Sequence, residues 1–262
     1  MEYRGSKINE TQNPIGRLMG MLRGNSNSST IKEGICAYLP FMLKEGMLTK
    51  EHLIQLEHLG VDISNPKDTD GNNLLTISMQ ANQKDIFVFL ADKGLANRRD
   101  NLGDTPLIHS ATLEDVFFAN YLLDNGKSII DERGYKDRNA IMKASEYGRL
   151  NIVEDFYNRD NRLALSRDDD GRVPIMCAAR NGHDTVVTFF LDIGVDPNIQ
   201  SYSNWTALMK ASYHGHTSTV ELLISRGANL SLRNSDNESA SDLAKSNGHY
   251  TVAELLESRS KI

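Results

Sequence analysis

The chain has 262 residues, a formal net charge of −6 and two cysteines, Cys36 and Cys177. The acidic balance argues against general nucleic-acid affinity, because such affinity rests on neutralising phosphates with Lys and Arg. Two cysteines do not make a disulfide scaffold. No apolar run reaches the ~18 residues of a membrane span, and the N-terminus lacks the apolar core of a signal peptide.

Residues 1–29 are predicted to form a flexible tail, because the run 24–29 is of low complexity. The apolar, glycine-interrupted segment 15–23 either folds back on the first helical unit or is a docking motif that orders on binding. Residues 30–66 are predicted to be a helical N-terminal capping unit. In that unit Pro40 should kink or restart the first helix, and Thr49 should begin the next one.

From residue 67 onwards the chain repeats itself. A helix-capping position recurs at Asn73, Thr105, Asn139, Val173, Thr206 and Ser239, in steps of 32, 34, 34, 33 and 33 residues by subtraction. Each position is followed by two short apolar segments, and in the best copies the second ends at a glycine such as Gly227, a pattern typical of paired helices. One such pair cannot bury its own apolar face, so the copies are expected to stack.

Three runs carry a family signature: Thr105-Pro106-Leu107-Ile108-His109, Val173-Pro174-Ile175-Met176-Cys177-Ala178-Ala179-Arg180-Asn181-Gly182-His183, and Thr206-Ala207-Leu208 with Gly215-His216. With a period of about 33 residues, the chain resembles the ankyrin-repeat family over roughly residues 50–258. The resemblance implies an all-α ankyrin-repeat solenoid of helix-turn-helix repeats with β-hairpin loops. It assigns five repeats to residues 67–233 and a C-terminal capping repeat to residues 234–262.

Two repeats depart from the family pattern. In the second repeat, residues 112–115 replace the usual Gly-His between the helices, so that turn should differ. In the third, Asp160 occupies the terminal glycine position and must either adopt left-handed geometry or leave the helix differently. The sequence leaves open a local distortion or a break in the array. A break would produce two folding blocks, residues 30–133 and 168–262.

The motifs of common enzymes are missing from the sequence, including the nucleophile elbow, the phosphate-binding loop and the metalloprotease and kinase patterns. We therefore expect no enzymatic activity, catalytic residue, cofactor or metal. The run 168–171 is interpreted as a hairpin turn, because the distal ligands of a calcium loop are missing. His183, His216 and His249 recur after glycine and are expected to hydrogen-bond across the turn between helices. Cys177 is expected to be a buried thiol.

In the family, partners usually bind a concave face made by hairpin tips and first helices. Carried over by position, that face supplies these candidate partner-binding residues: Tyr135, Lys136, Arg138, Tyr147, Arg172, Arg180, Tyr202, Trp205, Tyr213 and His214. Trp, Tyr and Arg dominate binding hot spots. Trp205, the only tryptophan, is either an anchor for a partner or structural cover lying on its own hairpin.

The resemblance implies a non-enzymatic scaffold or adaptor that binds another protein. The alternatives are a host-directed bacterial effector, a regulatory or targeting subunit of an enzyme, and a self-assembling structural protein. We expect a chain that is monomeric alone, binds no nucleic acid, has no membrane span and is cytoplasmic. The nucleus and a host cytosol are the alternative locations.

Overall fold

A computed structural model describes residues 14–25 and 28–260, and its contacts divide the chain into two compact units, Met1–Pro106 and Leu107–Ile262. The α-helices are α1 (Pro14–Gly24), α2 (Ser29–Lys44), α3 (Lys50–His58), α4 (Leu74–Gln80), α5 (Lys84–Asp92), α6 (Pro106–Ser110), α7 (Phe117–Asp124), α8 (Ala140–Glu146), α9 (Leu150–Arg159), α10 (Pro174–Arg180), α11 (Asp184–Asp192), α12 (Ala207–Tyr213), α13 (Thr217–Ser225), α14 (Ala240–Ser246) and α15 (Tyr250–Arg259). The predicted all-α fold class is confirmed.

The first unit begins with a helix inside the segment that was predicted to be a flexible tail. Helix α1 packs on α2 and buries Ile15, Met19 and Leu22. This arrangement corresponds to the alternative in which the apolar segment folds back on the first helical unit. The remainder of that tail, residues 1–13 and 26–27, lies outside the described residues.

The rest of the first unit follows its local sequence signals. Helix α2 runs through Pro40 as one element, so of the two predicted outcomes the restart is wrong, while the kink stays a prediction. Helix α3 begins after Thr49 as predicted, because the Thr49 side chain accepts a hydrogen bond from the backbone N–H of His52, and the His52 ring accepts one from the Thr49 N–H. This reciprocal arrangement satisfies two backbone donors at the helix start. Helices α4 and α5 form a pair, and α4 packs on α2.

The second unit is built from stacked helix pairs. The first helices of its last four repeats, α8, α10, α12 and α14, pack one on the next, and so do the second helices α9, α11, α13 and α15. Phe156 and Phe190 are fully buried on successive second helices. The apolar face that one pair exposes is therefore covered by its neighbour.

The recurring cap position starts most of the first helices through a side-chain hydrogen bond. Asn73, Asn139, Thr206 and Ser239 each accept a hydrogen bond from the backbone N–H three residues later. Val173 has no side-chain acceptor, and Pro174 instead begins α10 with no N–H to satisfy. Both solutions leave fewer unpaired donors at the helix start.

The loops between repeats are tight turns closed by side chains, and the described residues contain no strand beyond an isolated bridge between Lys67 and Asn73. In the fourth repeat Asp168 Oδ1 accepts from the N–H of Asp170 at 3.1 Å and of Arg172 at 2.9 Å. Asp68, Asp100 and Asn234 make the same pair of hydrogen bonds in their own loops. The predicted turn at residues 168–171 is confirmed, whereas the predicted β-hairpins are turns without paired strands.

The third repeat is distorted locally, but its helices still pack on those of the fourth repeat. Asp160 has an extended backbone with φ −152°, and a 3₁₀ helix, Asn161–Leu165, follows it with Leu163 and Ala164 buried. The chain therefore leaves α9 without a left-handed residue. The repeat lies inside the second unit, and the structural division falls between Pro106 and Leu107. The structure thus corresponds to a local distortion, while the two folding blocks, residues 30–133 and 168–262, stay a prediction about unfolding.

The recurring histidines reach the preceding repeat rather than spanning their own turn. His183 Nε2 lies 2.9 Å from the carbonyl oxygen of Glu146, and His216 Nε2 lies 2.9 Å from that of Arg180. In the third repeat Arg149 takes this position, and its Nε donates to the carbonyl oxygen of Thr112 at 2.9 Å. His183 and His216 therefore form hydrogen bonds, but the predicted partner across their own turn is wrong. The divergent turn at 112–115 is held by Arg149.

We expect the glycine before such a histidine to be more sensitive to substitution than a left-handed glycine in open space. Gly182 has φ +73°, and a Cβ there would lie 2.8 Å from His216 Nδ1, whereas Gly194 has φ +88° and no such neighbour within 4 Å. Gly194→Ala should lower the free energy of unfolding by about 1 kcal/mol, the cost of left-handed geometry. Gly182→Ala should lose about 1 kcal/mol more, because the displaced ring gives up its hydrogen bond.

Denaturant unfolding of the two variants measures this difference. The pair is matched, because both glycines lie in the fourth repeat and both have a positive φ. Equal losses would show that the contact between Gly182 and His216 does not contribute to stability.

Candidate functional site

The four tyrosines among the candidate residues are exposed on the second unit. Tyr135, Tyr147, Tyr202 and Tyr213 are between 37% and 69% exposed. The Tyr202 ring lies over Gly171, and its N–H donates to the Asp170 carbonyl oxygen at 3.0 Å. Successive loop tips are joined by such bonds, since the Asp169 N–H also donates to the Lys136 carbonyl oxygen at 3.1 Å. The tips of repeats three to five therefore form one continuous surface.

Trp205 is half-buried and in contact with other residues of its own repeat. The Lys210 ammonium lies 3.8 Å from the centre of its ring, and the Tyr213 ring meets it edge to face at 5.6 Å between centroids. The backbone N–H of Trp205 donates a hydrogen bond to Ser201 Oγ at 3.2 Å. Cation–π and edge-to-face contacts of this kind hold an indole in one orientation. Trp205 thus has features of both predicted roles. Its ring is held against its own repeat, as structural cover would be, and part of it remains exposed, as an anchor for a partner would be.

Two of the candidate arginines are committed to ion pairs inside the unit. Arg138 lies 3.0 Å from Glu146 Oε2, its side chain is 11% exposed, and it also approaches Cys177 Sγ at 3.6 Å. Arg172 binds Asp168 at 2.8 Å and Asp170 at 2.9 Å. The sequence placed both arginines on a contact surface. The Arg138 side chain joins its loop to α8, and the Arg172 side chain closes its own loop. Their role in partner binding stays a prediction.

Cys177 is buried, as predicted, beneath the Arg138 guanidinium. Burial raises the pKa of the Cys177 thiol, and the positive charge of Arg138 opposes that rise. The group is therefore a neutral thiol at physiological pH. A protonated, inaccessible thiol has little nucleophilic character.

Two cations and a histidine lie close together on repeats four and five. This group, called here the cationic cluster, consists of Arg180, His214 and Lys210. Arg180 is exposed, and its guanidinium makes no ion pair in the part of the chain that the structure describes. Burial, together with the charges of Arg172 and Arg180, lowers the pKa of Lys210 to about 8. Burial and the neighbouring Arg180 also lower the pKa of His214. The groups lie close enough to disfavour one another's charge.

Lys210 was not among the predicted site residues, although the repeat register contains the signal. It lies four residues after its cap Thr206, and Lys143 lies four residues after Asn139. Lys143 has Glu146 at 3.9 Å on the same helix, but Tyr213 occupies the corresponding position in the fifth repeat. Comparing charges between equivalent positions would have shown that Lys210 lacks the carboxylate of its counterpart.

Within residues 14–25 and 28–260, no group of three or more His, Cys, Asp or Glu side chains could hold a metal ion. The His214 and His216 rings stack with centroids 6.2 Å apart. Among the described helices, none has the length and apolar character needed to cross a bilayer.

Comparison with known families gives the architecture a name. A family model described as ankyrin repeats (3 copies) matches residues 43–133, 127–201 and 175–262, which together span most of the chain. The chain belongs to the ankyrin-repeat family. The predicted family is therefore confirmed.

Several curated ankyrin-repeat relatives are similar over part of their length. The human transient receptor potential cation channel subfamily A member 1 is 32% identical over 151 residues, which are 54% of this chain and 13% of the channel. The sex-determining protein fem-1 of Caenorhabditis elegans is 37% identical over 73 residues, 26% of this chain and 11% of fem-1. The ankyrin repeat and KH domain-containing protein mask-1, also from C. elegans, is 27% identical over 158 residues, 58% of this chain and 6% of mask-1. The chain thus spans only a small fraction of each relative.

Proposed function

We propose that this ankyrin-repeat chain is a protein-binding module that recognises its partner through the loop tips and first helices of repeats three to five. Ankyrin repeats are generally protein–protein interaction modules. The observation that carries the proposal is the series of exposed tyrosines on repeats three to five, of which Tyr213 contacts the half-buried Trp205. Exposed aromatic groups of this size on a polar surface favour a contact site.

The aromatic groups of this surface are held in place before any partner arrives. The Trp205 ring is fixed by Lys210 and Tyr213, and the Lys136 ammonium lies 5.5 Å from the centre of the Tyr135 ring. A side chain that is already ordered loses less conformational freedom on binding. We propose an adaptor or scaffold without chemistry of its own, acting as a monomer in the cytoplasm.

We expect the double substitution Trp205→Ala/Tyr213→Ala to abolish partner binding. Truncation of a central hot-spot aromatic typically costs about 2 kcal/mol or more, so two together should weaken binding by more than about a hundredfold. Affinity capture from a cell lysate with the intact chain and the double variant makes the comparison. Tyr250→Ala is the control, because Tyr250 is 66% exposed on α15, away from the loop tips.

The outcomes separate the candidate functions. A protein held by the intact chain and by Tyr250→Ala, but lost by the double variant, supports recognition through this surface. Equal capture by all three chains contradicts it. Light scattering tests self-assembly, since a homogeneous dimer lost on Trp205→Ala would make the partner a second copy of the chain. If the captured protein is an enzyme whose rate changes on binding, the chain is a regulatory or targeting subunit.

A further inference from the structure

The Lys210 ammonium has no carboxylate partner, although other cations beside it are paired. Arg138 binds Glu146, and Arg172 binds Asp168 and Asp170. Lys210 lies on the Trp205 ring and makes no hydrogen bond or ion pair within the described residues. A half-buried cation without a counter-ion is energetically costly. Its position next to an aromatic contact surface suggests that a partner supplies the missing charge.

The fourth repeat adds a second unpaired cation at the same place. Arg180 occupies the position that Glu146 has in the third repeat, seven residues after the cap. Its carbonyl oxygen lies 2.9 Å from His216 Nε2, and the His216 ring stacks on that of His214. Arg180 therefore lies beside His214, and its charge acts on both His214 and Lys210. The substitution of a carboxylate by a guanidinium at this position reverses the local charge. The surface is therefore positive here, although the whole chain carries a net charge of −6.

We propose that the cationic cluster of Lys210, Arg180 and His214 binds a carboxylate side chain in an acidic peptide segment of the protein partner. An apolar side chain beside that carboxylate would pack on Trp205 and Tyr213. The proposal rests on the proposed function and specifies which partner chemistry the surface recognises. Bidentate binding of a carboxylate suits the planar guanidinium of Arg180, while Lys210 provides a point charge.

The same surface fits a polyanion poorly. Nucleic-acid binding requires several cations that follow a backbone of phosphates, whereas this cluster is confined to two adjacent repeats. Asp170 lies close enough to raise the pKa of Lys210 and would repel a chain of phosphates. One or two carboxylates of a peptide match the number of unpaired charges.

Binding of a carboxylate at Lys210 should depend on pH in a defined direction. The pKa of Lys210 is lowered to about 8 by burial and by Arg172 and Arg180, while Asp170 and Cys177 oppose that shift. An anion favours the protonated amine and therefore raises this pKa in the complex. Affinity should be constant up to about pH 7 and should then fall, by up to about tenfold per pH unit, between the pKa of the free chain and the raised pKa of the complex. Burial and the neighbouring Arg180, His216, Lys210 and His249 lower the pKa of His214. Its protonation should therefore strengthen binding only at a pH below the usual range of a histidine.

The experiment uses the full chain and a random peptide library displayed on phage, selected near neutral pH. Peptides whose binding is lost by Trp205→Ala/Tyr213→Ala are synthesised, and their affinities are measured by fluorescence polarisation. Lys210→Met removes the charge but keeps a stem that can lie on Trp205, and Lys210→Arg keeps the charge at all accessible pH values. Lys210→Met should not lower the melting temperature, because it removes an unpaired, partly buried charge.

The expected peptides share an Asp or Glu beside an apolar residue. Changing that acid to its amide should weaken binding to the natural chain by about tenfold, the value of one charge-assisted hydrogen bond, and should have little further effect on Lys210→Met. The loss of affinity above pH 8 should disappear in Lys210→Arg. Selected peptides without an acid, or an equal amide effect in Lys210→Met, would overturn the carboxylate site and leave the proposed function standing. A library that yields no peptide sensitive to the double variant would contradict both.

Discussion

Replacing Phe156 with alanine is expected to lower the free energy of unfolding of the second unit by about 3–5 kcal/mol. The Phe156 ring is fully buried on α9 of the third repeat, whose neighbour α11 carries Phe190 in the same environment. Removing the ring forfeits its burial and leaves a cavity that rigid flanking helices fill only partly. Because the stability of a repeat array includes interface terms between nearest neighbours, a loss of this size in one repeat should weaken its neighbours as well.

Urea unfolding followed by far-ultraviolet circular dichroism measures the effect of Phe156→Ala. Glu154→Ala is the matched control, since Glu154 is exposed on the same helix, and its substitution should stay within about 0.5 kcal/mol of the natural chain. A loss at Phe156 no larger than that of the control would mean that the third repeat contributes little to the stability of the second unit.

Removing the Glu146 carboxylate is expected to cost about 3 kcal/mol, the lower end of the range for breaking a buried ion pair. Glu146 Oε2 lies 3.0 Å from Arg138 and 3.9 Å from Lys143, and the Arg138 and Glu146 side chains are 11% and 23% exposed. Glu146→Ala would leave a guanidinium in a site that is largely closed to water, next to the neutral thiol of Cys177. The remaining exposure places the cost at the low end.

A double substitution distinguishes the cost of an unpaired buried charge from the stability that the ion pair itself provides. Arg138→Met/Glu146→Leu removes both charges and keeps apolar volume, so its free energy of unfolding should lie close to that of the natural chain. Thermal or denaturant unfolding of the single and double variants completes the cycle. If the double variant is as unstable as Glu146→Ala, the pair itself stabilises the second unit, and the account of an uncompensated buried charge is wrong.

The elements that sequence predicts well depend on one residue and its immediate neighbours. The cap at Thr206 and the start of α3 at Thr49 follow from a side-chain oxygen that meets an N–H three residues on. The period of about 33 residues identifies the family because every repeat uses the same few local devices. Local rules suffice for these features, since both partners of each contact lie within one turn of helix.

The features that sequence predicts poorly depend on a side chain from another repeat. Arg138 resembles an exposed hot-spot residue until the structure places Glu146 and Cys177 beside it. The side chains of His183 and Arg149 form hydrogen bonds with carbonyl oxygens of the preceding repeat, and the sequence of their own repeat does not indicate these partners. Asp160 had two possible backbone conformations, and the burial of Leu163 in the following 3₁₀ helix accompanies the extended one. The unpaired state of Lys210 likewise appears only when equivalent positions of different repeats are compared.

The placement of Trp205 gives the candidate surface a built-in optical reporter. The chain contains one tryptophan, and its indole touches both the Lys210 ammonium and the Tyr213 ring. All indole emission therefore originates from one ring on the candidate surface, and the spectrum needs no correction for tryptophans elsewhere. Occupancy of the surface and the charge state of its lysine can be followed by intrinsic fluorescence in the unlabelled protein.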